Sequence, residues 1–341
     1  MRIERLEKFE KFLQLRKQWN DLLFRSKQNT IFLTHQWFEA WWRCFGKEYE
    51  FAVVLARDDA DNLIGAGPLM ASDNGLYFMA NQEVSDYCDF IIDAEKIDQF
   101  YKLLLDRFQE YFAHIRDVEL INIPSASPTL ISLPRIASER CFSCGISESE
   151  VAPILALPTS YDAYIDGLHR KSRHELRRKV RRLESLGQIS IQRKRDPQEM
   201  NAAIQDFIIL HRKSSAPKQI FWQQEGMTDF FRLLTHLLSL EQWVEVNFLY
   251  VKDKLIAGLL NFVYADNLYL YNVAFDRDFF SFSPGFILFN HSIRQAIEEN
   301  KKVADFLRGG EKYKYFFGAK DSKIFSLTLT KERRTSEDLC N

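Results

Sequence analysis

The apolar positions in the first half of the chain predict an opening pair of helices followed by short strands. Apolar residues at helical spacing predict the helices, and Thr34 and Gly46 predict the start and the end of the second one. The predicted helices cover residues 6–27, 36–45 and 96–114. Apolar runs separated by turn residues predict strands at 51–56, 63–70, 76–79, 90–92 and 118–123. The Pro- and Ser-rich stretch 124–138 predicts a loop.

The second half has a different order of elements. Asp196-Pro197 predicts a capped helix start, and Gly187 predicts the end of the preceding long helix. The predicted helices cover 161–186, 196–213, 228–240 and 283–300. The predicted strands cover 189–193, 244–251, 255–264, 268–275, 303–307 and 324–329, and the turns between the second, third and fourth make these three antiparallel. The sequence therefore predicts a mixed α/β fold of the α+β class.

Composition adds limits to this picture. The chain has 341 residues, enough for two ordinary domains, and we place them at 1–155 and 156–341. A net charge of -1 argues against a surface coated in basic groups for bulk nucleic-acid binding. The first residues show no apolar leader and no run is long enough to span a membrane, so we expect a cytoplasmic protein. Five cysteines without a second metal-type pair predict neither a disulfide framework nor a metal site.

One predicted helix is strongly basic. Between Arg170 and Arg182 there are eight basic side chains and one acid, Glu175. Such a run is often only a solvated helix face. Eight like charges in so few turns also repel one another, and in a near-neutral protein they indicate a phosphorylated or polyanionic partner. We name Arg173 and Arg177 as candidate substrate-binding residues.

Three further segments have residues suited to chemistry. Ser283 and Pro284 begin a helix directly after a strand, which favours an anion site at the unpaired first-turn N–H groups. Asp305 lies in an apolar strand and is a candidate base or an ion-pair partner of Arg308. In the loop that follows, Tyr313 could donate a proton to a leaving thiolate, and a lysine could neutralise charge.

Together these segments resemble the GNAT-fold acyltransferases of the cellulose-biosynthesis-related CelD/BcsL type, cousins of the FemABX peptidyltransferases. The resemblance runs through nearly the whole chain. The residues that carry it are Phe32 to Trp37 with Trp41-Trp42, Ser85-Asp86-Tyr87, Tyr164 to Gly187, Ser283-Pro284-Gly285, and Asp305 to Gly309 followed by Tyr313-Lys314. It implies two GNAT-like lobes in tandem, each a mostly antiparallel twisted sheet flanked by helices.

The resemblance also implies a reaction. The C-terminal lobe would hold acetyl-CoA or another acyl-CoA as co-substrate, without a metal, at the splayed strand and at Ser283, Pro284, Gly285 and Phe286. Lys314 occupies the place of a lysine that assists transfer from aminoacyl-tRNA in the FemABX cousins. The implied catalytic residues are Asp305, Tyr313 and Lys314, and the substrate-binding residues are Arg173, Arg177, Asp86, Tyr87 and Arg308.

Three functions follow as hypotheses. The first is acyl transfer from acyl-CoA to an amine or hydroxyl of a sugar-type or cell-envelope precursor, either a small molecule or nucleotide-linked. The second is a FemABX-like transfer that takes its group from aminoacyl-tRNA, with the basic helix holding the tRNA. The third is a non-catalytic GNAT pair that binds polyanions through residues 170–182.

Overall fold

The chain folds into two compact units. The computed structural model describes residues 1–73, 75–81 and 83–331. The first unit comprises Met1–Glu150 and takes up the chain again from Lys323, and the second comprises Val151–Ser322. The division at residue 150 lies near the predicted boundary, but the last strand belongs mainly to the first unit.

Helices and mostly antiparallel strands make up the first unit. Its helices are α1 (Phe9–Leu13), α2 (Arg16–Arg25), α3 (His35–Phe45), α4 (Ile97–Asp106), α5 (Phe108–Tyr111) and α6 (Thr129–Ser138). Its strands are β1 (Arg2–Leu6), β2 (Glu50–Phe51), β3 (Val53–Arg57), β4 (Leu63–Gly67), β5 (Leu69–Ser72), β6 (Gly75–Phe78), β7 (Ile91–Ile92) and β8 (Asp117–Pro124). The strands pair in the orders β1-β3-β4-β7 and β8-β6-β5-β2, and β6 and β8 pair in parallel.

The second unit is built around one sheet. Its helices are α7 (Tyr161–Gly167), α8 (Arg170–Glu184), α9 (Pro197–Ser214), α10 (Ala216–Phe221), α11 (Met227–Leu240), α12 (Pro284–Glu298) and α13 (Lys312–Phe316). Its strands are the end of β9 (Phe142–Ala156), then β10 (Ile189–Lys194), β11 (Val244–Val251), β12 (Lys254–Tyr264), β13 (Asn267–Phe275) and β14 (Val303–Asp305). They pair in the order β10-β11-β12-β13-β14-β9, and β15 (Lys320–Lys331) runs on into the first unit.

Several predicted elements are confirmed with their caps. The Thr34 hydroxyl accepts the Trp37 N–H and begins α3, and Gly46 follows its last residue. The Asp196 carboxylate accepts the Gln198 N–H at 2.8 Å and begins α9. The three antiparallel strands β11, β12 and β13 pair in sequence order, as predicted. Together with the helices, they confirm the mixed α+β class.

Other predictions are wrong because tertiary contacts override the local pattern. Residues 6–27 are not one helix, since Leu6 pairs with Val53 in a sheet and α1 ends before α2 begins. Residues 124–138 are not all loop, because α6 buries Leu133 and Ile136 in the core despite Pro134. The helix predicted over 161–186 stops after α7, and His169 Nδ1 accepts the Lys171 N–H to start α8.

Two strands of the second unit separate and open the sheet. Strands β13 and β14 are parallel, and they pair only from Asn267↔Val303 to Tyr269↔Asp305. The rest of β13 has no partner on that side among the described strands. In the pairing of β12 with β13 the register moves from Asn261↔Leu270 to Leu260↔Asn272, so Tyr271 forms a β-bulge at the point of separation. The sheet is therefore splayed beside the start of α12.

The two faces of this sheet are covered by different helices. A Cβ atom on Gly258 would meet the Phe207 ring of α9, so that face belongs to α9. The neighbouring Leu259 packs in the apolar cluster that contains Leu288 and Ile293 of α12. Because successive strand residues face opposite ways, α9 and α12 lie on opposite faces of the sheet. The splay between β13 and β14 is thus bordered by helices from both faces.

Candidate functional site

A cavity of about 340 Å³ lies where β13 separates from β14. Its walls are mostly apolar, and they come from the splayed part of β13, the segment before α12, the first turns of α12 and helix α13. Gly285 allows this close packing, because a Cβ atom there would lie 2.9 Å from a methyl group of Val273. The lining residues are Lys179, Val273, Phe275, Phe280, Ser281, Ser283, Pro284, Gly285, Phe286, Phe289 and Tyr313.

Ser283 does not cap α12 in the predicted way. It has φ 56° and ψ 49°, in the left-handed region, and its hydroxyl accepts no N–H of the helix. Pro284 has no N–H, the Phe286 N–H donates to the Ser283 carbonyl, and the Gly285 N–H has no acceptor in the described part of the chain. The cap hydrogen bond is missing because the Ser283 hydroxyl is turned toward another helix. The start of α12 thus keeps a positive dipole end that no side chain of its own neutralises.

Lys179 of the basic helix α8 reaches this same point. Its Nζ atom donates to Ser283 Oγ at 2.8 Å and lies 4.6 Å from the centre of the Phe286 ring. Burial lowers the pKa of Lys179, and Glu175 is 3.8 Å away. An ammonium group, a helix start and a cavity therefore meet at one place. This combination suits a phosphate or another anion.

The other basic groups of α8 have different surroundings. Arg173 donates to the Asp166 carbonyl at 3.0 Å, Arg178 forms a two-point hydrogen bond with Glu175, and Arg177 is exposed. Arg173 and Arg177, the predicted substrate-binding residues, do not line the cavity. Sequence analysis did not single out Lys179 among the eight basic side chains between Arg170 and Arg182. Its spacing gave a signal, because it lies three residues after Leu176 and four before Leu183, on the buried side of the helix.

Tyr313 is the predicted catalytic residue that lines the cavity. Its ring stacks on Phe289 with 5.2 Å between the ring centres. Burial raises the pKa of Tyr313, so its hydroxyl keeps its proton at neutral pH. The site therefore contains a proton donor beside its apolar wall.

Lys314 is placed differently from its neighbour. Only 2% of it is exposed, and its Nζ atom donates to the carbonyl oxygens of Leu307, Arg308 and Gly309 at 2.8 to 3.0 Å. Glu311 is 2.9 Å away. The three donors of an ammonium group are thus used to hold the loop. Gly309, with φ +105°, allows the turn that brings these carbonyls together.

Asp305 and Arg308 lie at the ends of the same loop. Asp305 is 5% exposed, and its Oδ1 atom accepts the Leu307 N–H at 2.8 Å. Arg308 is partly exposed and gives its carbonyl to Lys314. Neither residue lines the cavity. Asp305 is the last residue of β14, the other strand of the splay, and Arg308 lies in the segment that follows it.

The candidates Asp86 and Tyr87 belong to the first unit. Tyr87 is 5% exposed and packs edge-on against Phe32, with 5.7 Å between the ring centres. Nearby, the Trp37 ring N–H donates to the Ser85 hydroxyl at 3.1 Å. Asp86 is partly exposed. These residues form a packed aromatic and polar cluster within that unit.

Sequence reasoning also missed Lys218 and Ser214, which close part of the open edge of β13. The Lys218 ammonium donates to the Val273 carbonyl, and the Ser214 hydroxyl accepts the Phe275 N–H at 2.8 Å. Burial lowers the pKa of Lys218 to about 8. The predicted end of α9 at residue 213 gave no reason to connect either residue with β13.

Part of the second unit matches a known domain family. Residues 170–315 match the model of the acetyltransferase (GNAT) domain. This segment contains the splayed strands, the start of α12 and Tyr313, and it supports acyltransferase activity in general. No curated protein matches the sequence. The CelD/BcsL type stays a prediction.

Solved structures extend the likeness to both units. FemX has a TM-score of 0.66 at 10% identity, covering 95% of this chain and 97% of that chain. The C-terminal domain of a putative lysylphosphatidylglycerol synthetase from Agrobacterium fabrum has a TM-score of 0.59 at 10% identity, covering 96% of this chain and 93% of that chain. A tandem GNAT protein from the clavulanic acid biosynthesis pathway has a TM-score of 0.50 at 11% identity, covering 98% of this chain and 99% of that chain. At these identities the likeness establishes the fold, a tandem GNAT-like α+β architecture.

No group of three or more His, Cys, Asp or Glu side chains in the described ranges is arranged to hold a metal ion. Nor does any helix in those ranges have the length and apolar character needed to cross a bilayer.

Proposed function

We propose that the second unit transfers an acyl group from acyl-CoA to an amine or hydroxyl of a sugar-type or cell-envelope precursor. The observation that carries this proposal is Lys179, whose ammonium lies on Ser283 at the start of α12 and beside the cavity. A phosphate of the donor would bind this ammonium and the first turn of α12. The apolar walls of the cavity would contact the pantetheine arm of the donor and its acyl group.

The groups on the cavity wall suit the leaving step. When the acyl carbon is attacked, the carbon–sulfur bond breaks and a thiolate leaves. The Tyr313 hydroxyl, which burial keeps protonated, would stabilise that thiolate by donating a hydrogen bond to it. Lys314 would support the reaction by holding the loop next to Tyr313, since its own donors are used by carbonyl oxygens. Asp305 stays a candidate base on the β14 side.

Lys179→Met tests the donor site. We expect the dissociation constant for acetyl-CoA to rise about tenfold or more, because a charge-assisted contact to phosphate is lost. S-acetyl-pantetheine, which lacks the nucleotide and the pyrophosphate, should bind wild type and variant equally. Calorimetry with both ligands measures the difference, and Lys171→Met, an exposed position on the same helix, is the matched control.

An equal loss for both ligands would mean that Lys179 shapes the cavity rather than binding phosphate. Unchanged acetyl-CoA binding in Lys179→Met would end the proposed donor site. If the wild-type protein binds no acyl-CoA but binds polyanions through Arg173 and Arg177, the hypothesis of a non-catalytic, polyanion-binding GNAT pair is favoured instead.

One observation favours a second candidate, transfer from aminoacyl-tRNA. An extended pantetheine arm pairs well with a free strand edge. Here the Val273 carbonyl and the Phe275 N–H of that edge are already used by Lys218 and Ser214. A donor with an adenosine ester in place of the arm does not need these groups. Retardation of charged tRNA by the purified protein, without a thermal shift from acetyl-CoA, would favour this donor.

A further inference from the structure

Lys218 lies on the open edge of β13, next to the cavity. It comes from the helices on the sheet face opposite α12. Helix α10, which contains it, packs on α9. Its Nζ atom donates to the Val273 carbonyl and lies 5.5 Å from the centre of the Phe275 ring. Val273 and Phe275 both line the cavity. The Lys218 amine therefore contacts the edge of β13 directly behind two residues of the cavity wall, although it is not itself a lining residue.

The surroundings of Lys218 contain no acid. None of the ion pairs in the described part of the chain includes it. From α9, the neighbouring titratable group is His211, whose Nδ1 atom accepts the Trp222 ring N–H at 2.8 Å and whose pKa burial lowers to about 2, so the ring is neutral. From the segment after β13, Arg277 donates to the Ser214 carbonyl at 3.1 Å.

This environment raises the uncharged fraction of the amine. Burial lowers the pKa of Lys218 to about 8, and no carboxylate offsets it. A neutral amine can still donate one N–H to the Val273 carbonyl, and this bond fixes the nitrogen at the strand edge. Its lone pair then stays available to accept a proton. Lysines with lowered pKa values serve as bases in this way.

We propose that Lys218 is the proton acceptor for the amine or hydroxyl that attacks the acyl donor. This inference rests on the proposed function and names a residue for the step that Tyr313 does not perform. Lys218 replaces Asp305 as the base in this step, because the Asp305 carboxylate accepts the Leu307 N–H on the β14 side. Lys314 cannot take this part, because its nitrogen donates to three carbonyls.

The step balances as follows. The acceptor nitrogen or oxygen forms a bond to the acyl carbon and loses its proton to the neutral Lys218 Nζ. The carbon–sulfur bond breaks, and the leaving thiolate accepts a hydrogen bond from the Tyr313 hydroxyl. Lys218 is then an ammonium, and it gives its proton through solvent to the thiolate, which yields the free thiol and restores the neutral amine. No oxidant, metal or further reactant is needed.

Thiol release from acetyl-CoA, with hydroxylamine as the acceptor probe, measures this role. General bases contribute about 10²- to 10⁴-fold, so we expect Lys218→Met to lower kcat by at least 100-fold while the affinity for acetyl-CoA changes little. The wild-type rate should rise with pH to a plateau above about 8. The variant should lose that rise. Lys213→Met, an exposed position on α9, should behave as wild type.

Lys218→Arg separates the base from a structural role. Arginine keeps a positive charge and can still donate to the Val273 carbonyl, but it does not release a proton in this pH range. A base role predicts that Lys218→Arg is as inactive as Lys218→Met, with normal thermal stability. Recovery of activity by arginine would overturn the proposal.

A second measurement does not depend on turnover. Trace acetic anhydride labels neutral amines, and mass spectrometry of the Lys218 and Lys213 peptides between pH 6 and 10 gives the midpoint for each. We expect Lys218 to label with a midpoint near 8, and acetyl-CoA to slow that labelling. A Lys218 midpoint equal to that of Lys213 would overturn the base role. Lack of any acetyl-CoA binding by wild type would instead contradict the proposed function.

Discussion

Lys314→Met is expected to lower the free energy of unfolding of the second unit by about 3 to 5 kcal/mol, the usual cost of removing one partner of a buried charged group. The methionine fills a similar volume but donates no hydrogen bond. It would leave the carbonyl oxygens of Leu307, Arg308 and Gly309 without their common donor. Glu311 would lose its cation as well.

Calorimetry should show this as a fall in the melting temperature of roughly 10 °C for a unit of this size. Lys312→Met is the matched control, because Lys312 is exposed on the same short helix and should change little. A normal melting temperature for Lys314→Met, together with lost transfer activity, would show that Lys314 acts on the substrate instead. The contacts of Lys314 thus predict a first effect on the loop beside Tyr313, and its catalytic role stays a prediction.

The sequence predicted those parts of the second unit that depend on local patterns. Turn residues and apolar runs were enough for the three strands β11 to β13 and for the helix after Ser283. The splay between β13 and β14 followed only from the family resemblance. Its cause is the short parallel pairing and the bulge at Tyr271, and no residue pattern reveals either.

The role of each lysine could not be predicted from its sequence neighbours. Lys179 and Lys218 lie in ordinary surroundings along the chain, and Lys314 lies between two tyrosines. Their partners are 104, 55 and five to seven residues away, and most of these are backbone carbonyls, which carry no sequence signal. The same argument explains Ser283, whose side chain turns from its own helix toward Lys179. Charge drew attention to α8, but only the packing places Lys179 beside the cavity.

Asp89→Asn is expected to stabilise the first unit at neutral and alkaline pH. Asp89 is 1% exposed, and burial raises its pKa from 3.8 to about 6, although hydrogen bonds from Ser127, Thr129 and the Phe90 N–H act in the opposite direction. The Thr129 hydroxyl also lies 2.6 Å from the Tyr101 hydroxyl, whose pKa is raised by burial. The asparagine oxygen can accept the same hydrogen bonds without a buried charge.

The sign of the pH dependence follows from proton binding. Between about pH 4 and 6 the native carboxyl keeps a proton that the unfolded chain has released, so the free energy of unfolding falls as pH rises through that window. Above pH 6 both states are ionised and the loss is complete. The shift of about two pKa units corresponds to about 3 kcal/mol. At pH 8 the variant should therefore be more stable than wild type by up to that amount, and at pH 4 the two should be similar.

Melting temperatures of wild type and Asp89→Asn, measured from pH 4 to 8, check this result. Asp73→Asn, at an exposed position of the same unit, should follow the wild-type curve. Because the other buried groups are identical in both proteins, their titration cancels in the difference between the two curves. A variant that is less stable than wild type at pH 8 would mean that the ionised carboxylate has a favourable partner. In that case Asp89 would have to be treated as a stabilising charge rather than a buried carboxylate whose charge lowers the free energy of unfolding.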